Sequence, residues 1–423
     1  MFSNLQHFFG FRHSVFRYIF ILIYSIFGLT FLAYLLKFKI QLYPSITFFN
    51  TTLRRSRTIL PEHILKLVKI QENFPINPNN LIIDHLTPHD YRGGYRLKFP
   101  THDAVVKYAQ NLSTFYAILQ NLYINSWSLF SNGKHIYIME DYLAFKYSYR
   151  KYNHVLVGTY DSVISIGDRY AQEFGHFFVD VLAPLMCIPR DVWSHSYIVV
   201  KENMSYCTDL LNALNFTNDR IIHLHDGEWI FAKTIHTTLY PSTYFRHPAT
   251  AHSNLSKLLR QAYNISSNIT PTRYGLMNRD KSVPKRRMAN LEEVKLVVQK
   301  KYPDIKWEDI SDSYPTIKDS ALAFSTIKFV FAITGSNLFR CLFMQPKSVI
   351  VAAQLNFNDF NIMSLALVND LLYFAFSTKG YTHYTKKPVY LVIDDAVRAI
   401  NIGICAAKHG MFPKNSSEYH YLP

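Results

Sequence analysis

A histidine and an aspartate stand four residues apart in the segment YAQEFGHFFVDVLAPL, residues 170–185. If this segment is helical, His176 and Asp180 lie on one face, beside an apolar stripe, with Glu173 one turn earlier. A carboxylate next to an imidazole fixes its tautomer and raises its basicity, so the pair could take a proton from a substrate. The alternative interpretation is a solvated helix face that carries an ordinary ion pair.

A basic loop in residues 274–294 offers a different chemistry. A predicted strand ends near Met277, and a predicted helix begins at Asn290, which resembles a capping box with Glu293. Basic side chains beside a helix N-terminus form a natural site for a diphosphate, although the loop could also be merely solvated. The basic residues are Arg279, Lys281, Lys285, Arg286 and Arg287.

A third segment, residues 329–346, places a glycine between a strand and a helix. Gly335 follows Thr334 and precedes Ser336, so a ligand could approach the backbone amides at the helix start. Such turns are common and mostly structural. The chain has no D-x-D and no C-x-x-C sequence, which predicts that no metal is bound. One D-x-E, Asp226 to Glu228, is interpreted as a hairpin turn.

Strands and helices alternate on both sides of a connection at residues 241–272, which predicts two α/β halves with largely parallel sheets. The predicted strands are 135–139, 155–157, 163–166, 197–200, 221–224, 274–277, 305–307, 329–333, 349–352 and 373–376. The predicted helices are 62–70, 104–119, 174–187, 208–214, 255–263, 291–301, 317–326, 338–344, 362–371 and 395–407.

An apolar segment near the N-terminus predicts a membrane anchor. Tyr18–Leu36 is 19 residues long without a charge, enough for a helix to cross a hydrocarbon core of about 30 Å. The eight N-x-S/T sequons all follow this segment, which favours a cytosolic tail and a luminal C-terminal part. Those sequons are at Asn50, Asn111, Asn203, Asn215, Asn254, Asn264, Asn268 and Asn415.

The net charge of +15 indicates an anionic partner. The basic residues are scattered, and no zinc-finger, basic-zipper or RNA-recognition motif accompanies them, so no nucleic-acid partner is expected. With 49% hydrophobic and 18% charged residues, the chain is predicted to be globular. Of the four cysteines, one or two disulfides could form, and their pairing stays open.

Taken in order, the three segments resemble the glycosyltransferase family 61 domain over roughly residues 160–400. The family's G-H-F/W-x-x-D helix is similar to residues 175–180, and its arginine-rich block is similar to residues 279–294. Its G-A-x-L-x-N-x-x-F segment is similar to residues 335–343. The sequence departs from this pattern at Thr334, Ser336 and Arg340, and no acidic residue ends the strand at 349–354.

The resemblance implies a two-domain, GT-B-like α/β fold and a metal-independent, inverting hexosyl- or pentosyltransferase without a cofactor. A UDP-sugar would be the donor, and a glycan or glycoprotein would be the acceptor. Asp180 or His176 would act as the base. The donor would bind at Arg279, Arg286, Arg287, Asn290, Gly335 and Ser336.

The predicted layout has five parts: a cytosolic tail (1–17), an anchor (18–36), a stem (37–102), an acceptor-side α/β domain (103–272) and a nucleotide-sugar domain (273–423). The expected location is the Golgi or endoplasmic reticulum membrane. Two other functions stay open: a catalytically inactive, glycan-binding or chaperone relative, and a basic membrane-anchored interaction protein.

Overall fold

The computed structural model describes residues 54–56, 58–71, 74–83, 102, 106–107, 110, 113–137, 154–168, 170–202, 205–239, 249–354, 359–378, 381 and 385–413. Within these ranges, no helix is both long and apolar enough to cross a membrane. The predicted anchor Tyr18–Leu36 lies outside them, as do four of the sequons, at Asn50, Asn111, Asn203 and Asn415.

The first sheet is mixed, and it forms from nine strands of the described ranges in the order β1-β6-β5-β4-β10-β7-β8-β9, with β2 also on β4. The strands are β1 Arg54–Ser56, β2 Ile64–Gln71, β4 Ser113–Asn125, β5 Phe130–Ser131, β6 His135–Tyr137, β7 Val155–Ser165, β8 Tyr197–Lys201, β9 Ile221–Leu224 and β10 Glu228–Leu239. Strands β10, β7, β8 and β9 are parallel, whereas β4 is antiparallel to β10, β2 and β5. The prediction of a largely parallel sheet is therefore correct for only one side of it.

Two predicted helices are wrong because their residues pair as strands. Residues 113–119 belong to β4, which lies between β10 and β2, and residues 64–70 belong to β2. Short apolar runs do not distinguish a helix from a strand, and here pairing with distant strands decides. The turn at Asp226–Glu228 forms, with Gly227 at a φ of 95°, but β9 and β10 do not pair with each other, so it is not a hairpin.

The second sheet is parallel throughout, in the order β12-β11-β13-β14-β15-β3. Its strands are β11 Arg273–Met277, β12 Trp307–Ile310, β13 Ile327–Ile333, β14 Val349–Gln354, β15 Leu372–Ser377 and β3 Leu81–Ile83. Strands buried on both faces are continuously apolar, which is why the sequence marks this sheet well. Strands β1, β2 and β3 come from the segment predicted to be a stem, so its described part is folded into the two sheets.

Helices cover both faces of the second sheet. In β13, Val330 and Ala332 belong to a core that also contains Phe177 and Phe178, whereas Phe329 and Phe331 face a separate core. The α-helices are α1 Phe174–His176, α2 Ala183–Leu185, α3 Arg190–His195, α4 Ser205–Ala213, α5 Ala249–Ala262, α6 Leu291–Lys301, α7 Ile317–Ser325, α8 Phe360–Val368 and α9 Ile393–His409. A 3-10 helix, Ser336–Phe343, follows β13 and is called the Ser336 helix below.

Candidate active site

A composite helix carries the predicted histidine and aspartate. It consists of α1, a π-helical segment Phe177–Leu182, and α2, and it is called the site helix below. The side chains of the π segment other than Asp180 are buried in the core, which anchors the helix. Single π-helical turns are frequent at functional sites. The prediction that His176 and Asp180 share one face is confirmed, because Nδ1 of His176 lies 2.5 Å from Oδ2 of Asp180.

Both ring nitrogens of His176 face carboxylates. While Nδ1 contacts Asp180, Nε2 lies 4.0 Å from Oε2 of Glu173. Burial lowers the pKa of His176, but the charge and hydrogen bond of Asp180, helped by Asp168 and Glu173, outweigh it and raise the pKa to about 9. A pKa raised in this way favours the charged imidazolium at neutral pH.

A third carboxylate, Asp168, follows β7 and completes a group with His176 and Asp180, whose ligand atoms lie within 4.8 Å of one another. Two ligands of one tetrahedral metal at about 2.0–2.2 Å stand roughly 3 Å or more apart. The 2.5 Å contact between His176 and Asp180 is shorter than that and holds a proton instead. A metal could use these residues only after that hydrogen bond breaks.

Gly175 brings the site helix against the Ser336 helix. A Cβ atom added to Gly175 would lie 2.5 Å from the ring of Phe339 and 3.2 Å from the Cα of Ser336. Any larger residue would push the two helices apart, because the Ser336 contact is with backbone. Two sequence segments about 160 positions apart therefore meet, and His176 stands one residue from this contact.

The basic loop reaches the same place from β11. A Cβ atom on Gly335 would lie 2.8 Å from Nη2 of Arg279 and 3.5 Å from Nη1 of Arg286, so both guanidinium groups lie over this glycine. Burial, and then the charge of Arg286, lower the pKa of Arg279 to about 10. Burial likewise lowers the pKa of Arg286, which is 9% exposed. Nε of Arg286 has no hydrogen-bond partner among the described residues.

The backbone of the basic loop is fixed by Asn278. Its Oδ1 accepts from the backbone N–H of Met288, and its Nδ2 donates to the Met288 carbonyl, which closes the loop at both ends. Arg286 has a φ of 57°, a conformation that residues other than glycine seldom adopt and that often occurs at functional sites. Arg286 is buried and lies over Gly335, whereas Arg287 supplies none of the three atoms nearest to a Cβ at Gly335.

The predicted capping box at the start of α6 does not form. Asn290 is the N-cap residue, as predicted, but its side chain makes no cap hydrogen bond. Instead Nδ2 donates to the carbonyl of Leu391, and Oδ1 accepts from the N–H of Leu391. The structure therefore places the Asn290 side chain against the segment before α9, away from any open surface, with 7% of the residue exposed.

Asp359 was not predicted from the sequence, although it lies behind Arg286. Thr334 donates to its carboxylate at 3.0 Å, and the same carboxylate caps α8 at Ile362. Burial raises the pKa of Asp359, and the charge of Arg286 opposes this. The N-cap signal before an apolar helix was visible in the sequence. The closeness of Asp359 to Arg286 depends on β13 and β14 being neighbouring strands. That order is not visible in the sequence.

Residues 174–351 match the family described as Glycosyltransferase 61. The matched range includes the site helix, the basic loop and the Ser336 helix. The chain contains a glycosyltransferase 61 domain. The resemblance seen in the sequence is thereby confirmed, and the family of this domain indicates glycosyl transfer. No match was found among curated proteins.

Two departures from the family 61 pattern have structural counterparts. Arg340 lies over the ring of Phe174 at 4.5 Å and over Tyr314 at 5.5 Å, and it donates to Asn337 at 3.0 Å. It therefore ties the Ser336 helix to the start of the site helix. The family pattern has an acidic residue at the end of β14, and this chain lacks one there. Asp359, five residues after Gln354, contacts Thr334 and so brings a carboxylate to the same region.

Proposed function

We propose that this chain is an inverting glycosyltransferase of the GT-B type that transfers a sugar from a UDP-sugar to a glycan or glycoprotein acceptor. The observation that carries the proposal is the pair of guanidinium groups over Gly335. Neither Arg279 nor Arg286 makes a side-chain hydrogen bond or ion pair with any described residue. Two buried like charges repel each other, and a bound anion that accepts hydrogen bonds from both groups would stabilise the arrangement.

A nucleotide diphosphate fits this site. The Ser336 helix begins beside both arginines, and the first N–H groups of a helix, here those of Ser336 and Asn337, have no partners within it. Gly335 has no side chain to cover them. The leaving diphosphate of a sugar transfer gains negative charge as the bond to the sugar breaks, and preorganised guanidinium and N–H donors stabilise that charge.

The other side of the site supplies the proton chemistry. The site helix places Glu173, His176 and Asp180 next to the contact between Gly175 and Ser336. In a direct displacement, the acceptor oxygen bonds to the anomeric carbon, the bond from that carbon to the phosphate oxygen breaks, and the acceptor proton passes to a base. This group of residues supports such a step.

The test is UDP binding and UDP-sugar turnover by the purified full-length chain. We expect isothermal titration to show UDP binding, and a panel of UDP-hexoses and UDP-pentoses with glycopeptide acceptors to give UDP release. UDP binding without any turnover would favour the inactive, glycan-binding or chaperone relative. Absence of UDP binding would contradict both the active enzyme and the inactive relative, and it would favour the basic membrane-anchored interaction protein.

The location is also a proposal: a single-pass membrane protein of the endoplasmic reticulum or Golgi, anchored by residues 18–36, with the domain in the lumen. Asn215, Asn264 and Asn268 are exposed and can carry glycans. At the sequon of Asn254, the Ser256 hydroxyl is buried and donates to the Leu342 carbonyl, so we expect no glycan there. Mass spectrometry of the protein from a glycosylating host checks this; an unglycosylated chain would contradict the luminal location.

A further inference from the structure

Three carboxylates surround His176, and they differ in how far they reach into the open site. The side chain of Glu173 is 50% exposed, whereas that of Asp180 is 13% exposed and Asp168 is 9% exposed. An acceptor hydroxyl comes from solvent and must meet its base directly or through one water. Glu173 is the carboxylate of this group that such a hydroxyl can reach.

Asp180 and His176 are both engaged with each other. The 2.5 Å contact occupies one oxygen of Asp180 and Nδ1 of His176, and Nε2 of His176 faces the carboxylate of Glu173. When the imidazole is protonated, both of its nitrogens carry hydrogen, so the ring has no free lone pair with which to accept a proton. The pair is therefore better suited to provide a fixed charge than a base.

Glu173 lies close enough to the arginines to affect them. Burial lowers the pKa of Arg279, Lys285 and Arg286, and the negative charge of Glu173 partly offsets this in each case. Although Glu173 is the N-cap residue of α1, its side chain makes no cap hydrogen bond, so it has no structural task at the helix start. A half-exposed carboxylate thus stands between the imidazolium and the diphosphate site.

We propose that Glu173 is a further catalytic residue, the carboxylate that takes the proton from the acceptor hydroxyl. This assignment rests on the proposed glycosyl transfer. As the acceptor oxygen bonds to the anomeric carbon, UDP leaves with the electron pair of the broken bond. The acceptor proton then passes to the Glu173 carboxylate. His176 and Asp180 act as positioning residues that keep an imidazolium beside that carboxylate.

The experiment compares UDP release by the full-length wild type, Glu173→Gln and Glu62→Gln, with the same donors and acceptors. A general base contributes about 10²–10⁴-fold, so Glu173→Gln should lose turnover by that factor. Its affinity for UDP should be unchanged or higher, because a negative charge near the diphosphate is removed. Glu62 is exposed and lies outside the site, so Glu62→Gln should match the wild type.

Two further variants separate chemistry from structure. Glu173→Asp keeps the carboxylate and should retain more turnover than Glu173→Gln. Added formate should restore part of the turnover of Glu173→Ala, which a structural role would not allow. Turnover by Glu173→Gln within tenfold of the wild type, or loss of its UDP binding, would overturn this assignment alone. No turnover by the wild type would overturn the proposed function and the assignment together.

Discussion

The two sides of the candidate site carry opposite charges and come from different sheets. The first sheet, through β7 and the site helix, supplies the carboxylates around His176. The second sheet, through β11 and β13, supplies the guanidinium groups over Gly335. Under the proposed function, this separation gives the two halves different tasks: the second sheet would bind the donor, and the site helix would handle the acceptor proton. Variants on the two sides should therefore fail in different assays.

The largest effect is expected on the carboxylate side. Asp180→Asn removes the charge that keeps His176 protonated, and His176→Ala removes the imidazolium itself. Each should lower turnover by up to about the 10²–10⁴-fold that a general base contributes, because Glu173 loses the charge that positions it, with UDP affinity close to that of the wild type. Steady-state rates and isothermal titration on the same preparations check this. Near wild-type rates in both variants would mean that His176 and Asp180 have only a structural role.

The same pair predicts a pH dependence. With its pKa raised to about 9, His176 loses its proton as the pH rises through that value, so wild-type turnover should fall there. In Asp180→Asn the main cause of the raised pKa is gone and burial lowers it, so the fall should move toward lower pH. An unchanged pH profile in Asp180→Asn would show that His176 does not control the rate.

A smaller effect is expected on the arginine side. Charge-assisted hydrogen bonds are worth about 1.5–3 kcal/mol each, so Arg279→Ala and Arg286→Ala should each weaken UDP binding about ten- to a hundredfold. Arg287→Ala is the matched control in the same loop, and it should change the affinity by less than about threefold. The structure thus narrows the prediction made from the sequence, which did not separate Arg286 from Arg287. Equal losses in all three variants would contradict the geometry over Gly335.

Most of the second sheet was predictable, whereas strands β2, β4 and β10 of the first sheet were not, for a physical reason. Strands β13, β14 and β15 are buried on both faces, so each is a continuous apolar run that can hardly be anything else. Strand β4 is stabilised by β10 and β2, over a hundred and about fifty positions away, and its own residues also fit a helix. Local pattern cannot show which partner a strand will find.

In the candidate site, too, local contacts could be predicted from the sequence and long-range contacts could not. His176 and Asp180 lie one helical turn apart, so spacing alone predicted their contact. The spacing also places Glu173 one turn earlier, but the half-exposed side chain that distinguishes it from Asp180 is seen only in the structure. Asp359 lies near Arg286 because β13 and β14 are neighbouring strands. No residue close to Asp359 in the sequence specifies that pairing.

For Asn290, which the sequence predicted to bind the donor, we expect no effect on UDP affinity and a moderate effect on stability. Its side chain makes two hydrogen bonds to the backbone of Leu391, so Asn290→Ala leaves buried backbone groups without partners. We expect a loss of about 1–3 kcal/mol in the free energy of unfolding, with UDP affinity unchanged. Denaturant unfolding and titration of the same variant measure the two quantities. Weaker UDP binding at unchanged stability would return Asn290 to the donor site.

Removal of divalent cations should leave turnover unchanged, and this experiment tests most directly whether only the arginine side binds the donor. If a divalent cation sat on Asp168, His176 and Asp180, it could bridge to the diphosphate, and both sides of the site would bind the donor. Such a cation would have to displace the proton between His176 and Asp180, which is held by the charge of Asp180 and of the neighbouring carboxylates. We therefore expect UDP release to be unaffected by EDTA and not increased by manganese or magnesium. Strict dependence on an added cation would instead make the carboxylate side part of the donor site. In that case Asp180→Asn would weaken UDP binding in the presence of the cation, and the charge separation would serve metal binding rather than proton transfer.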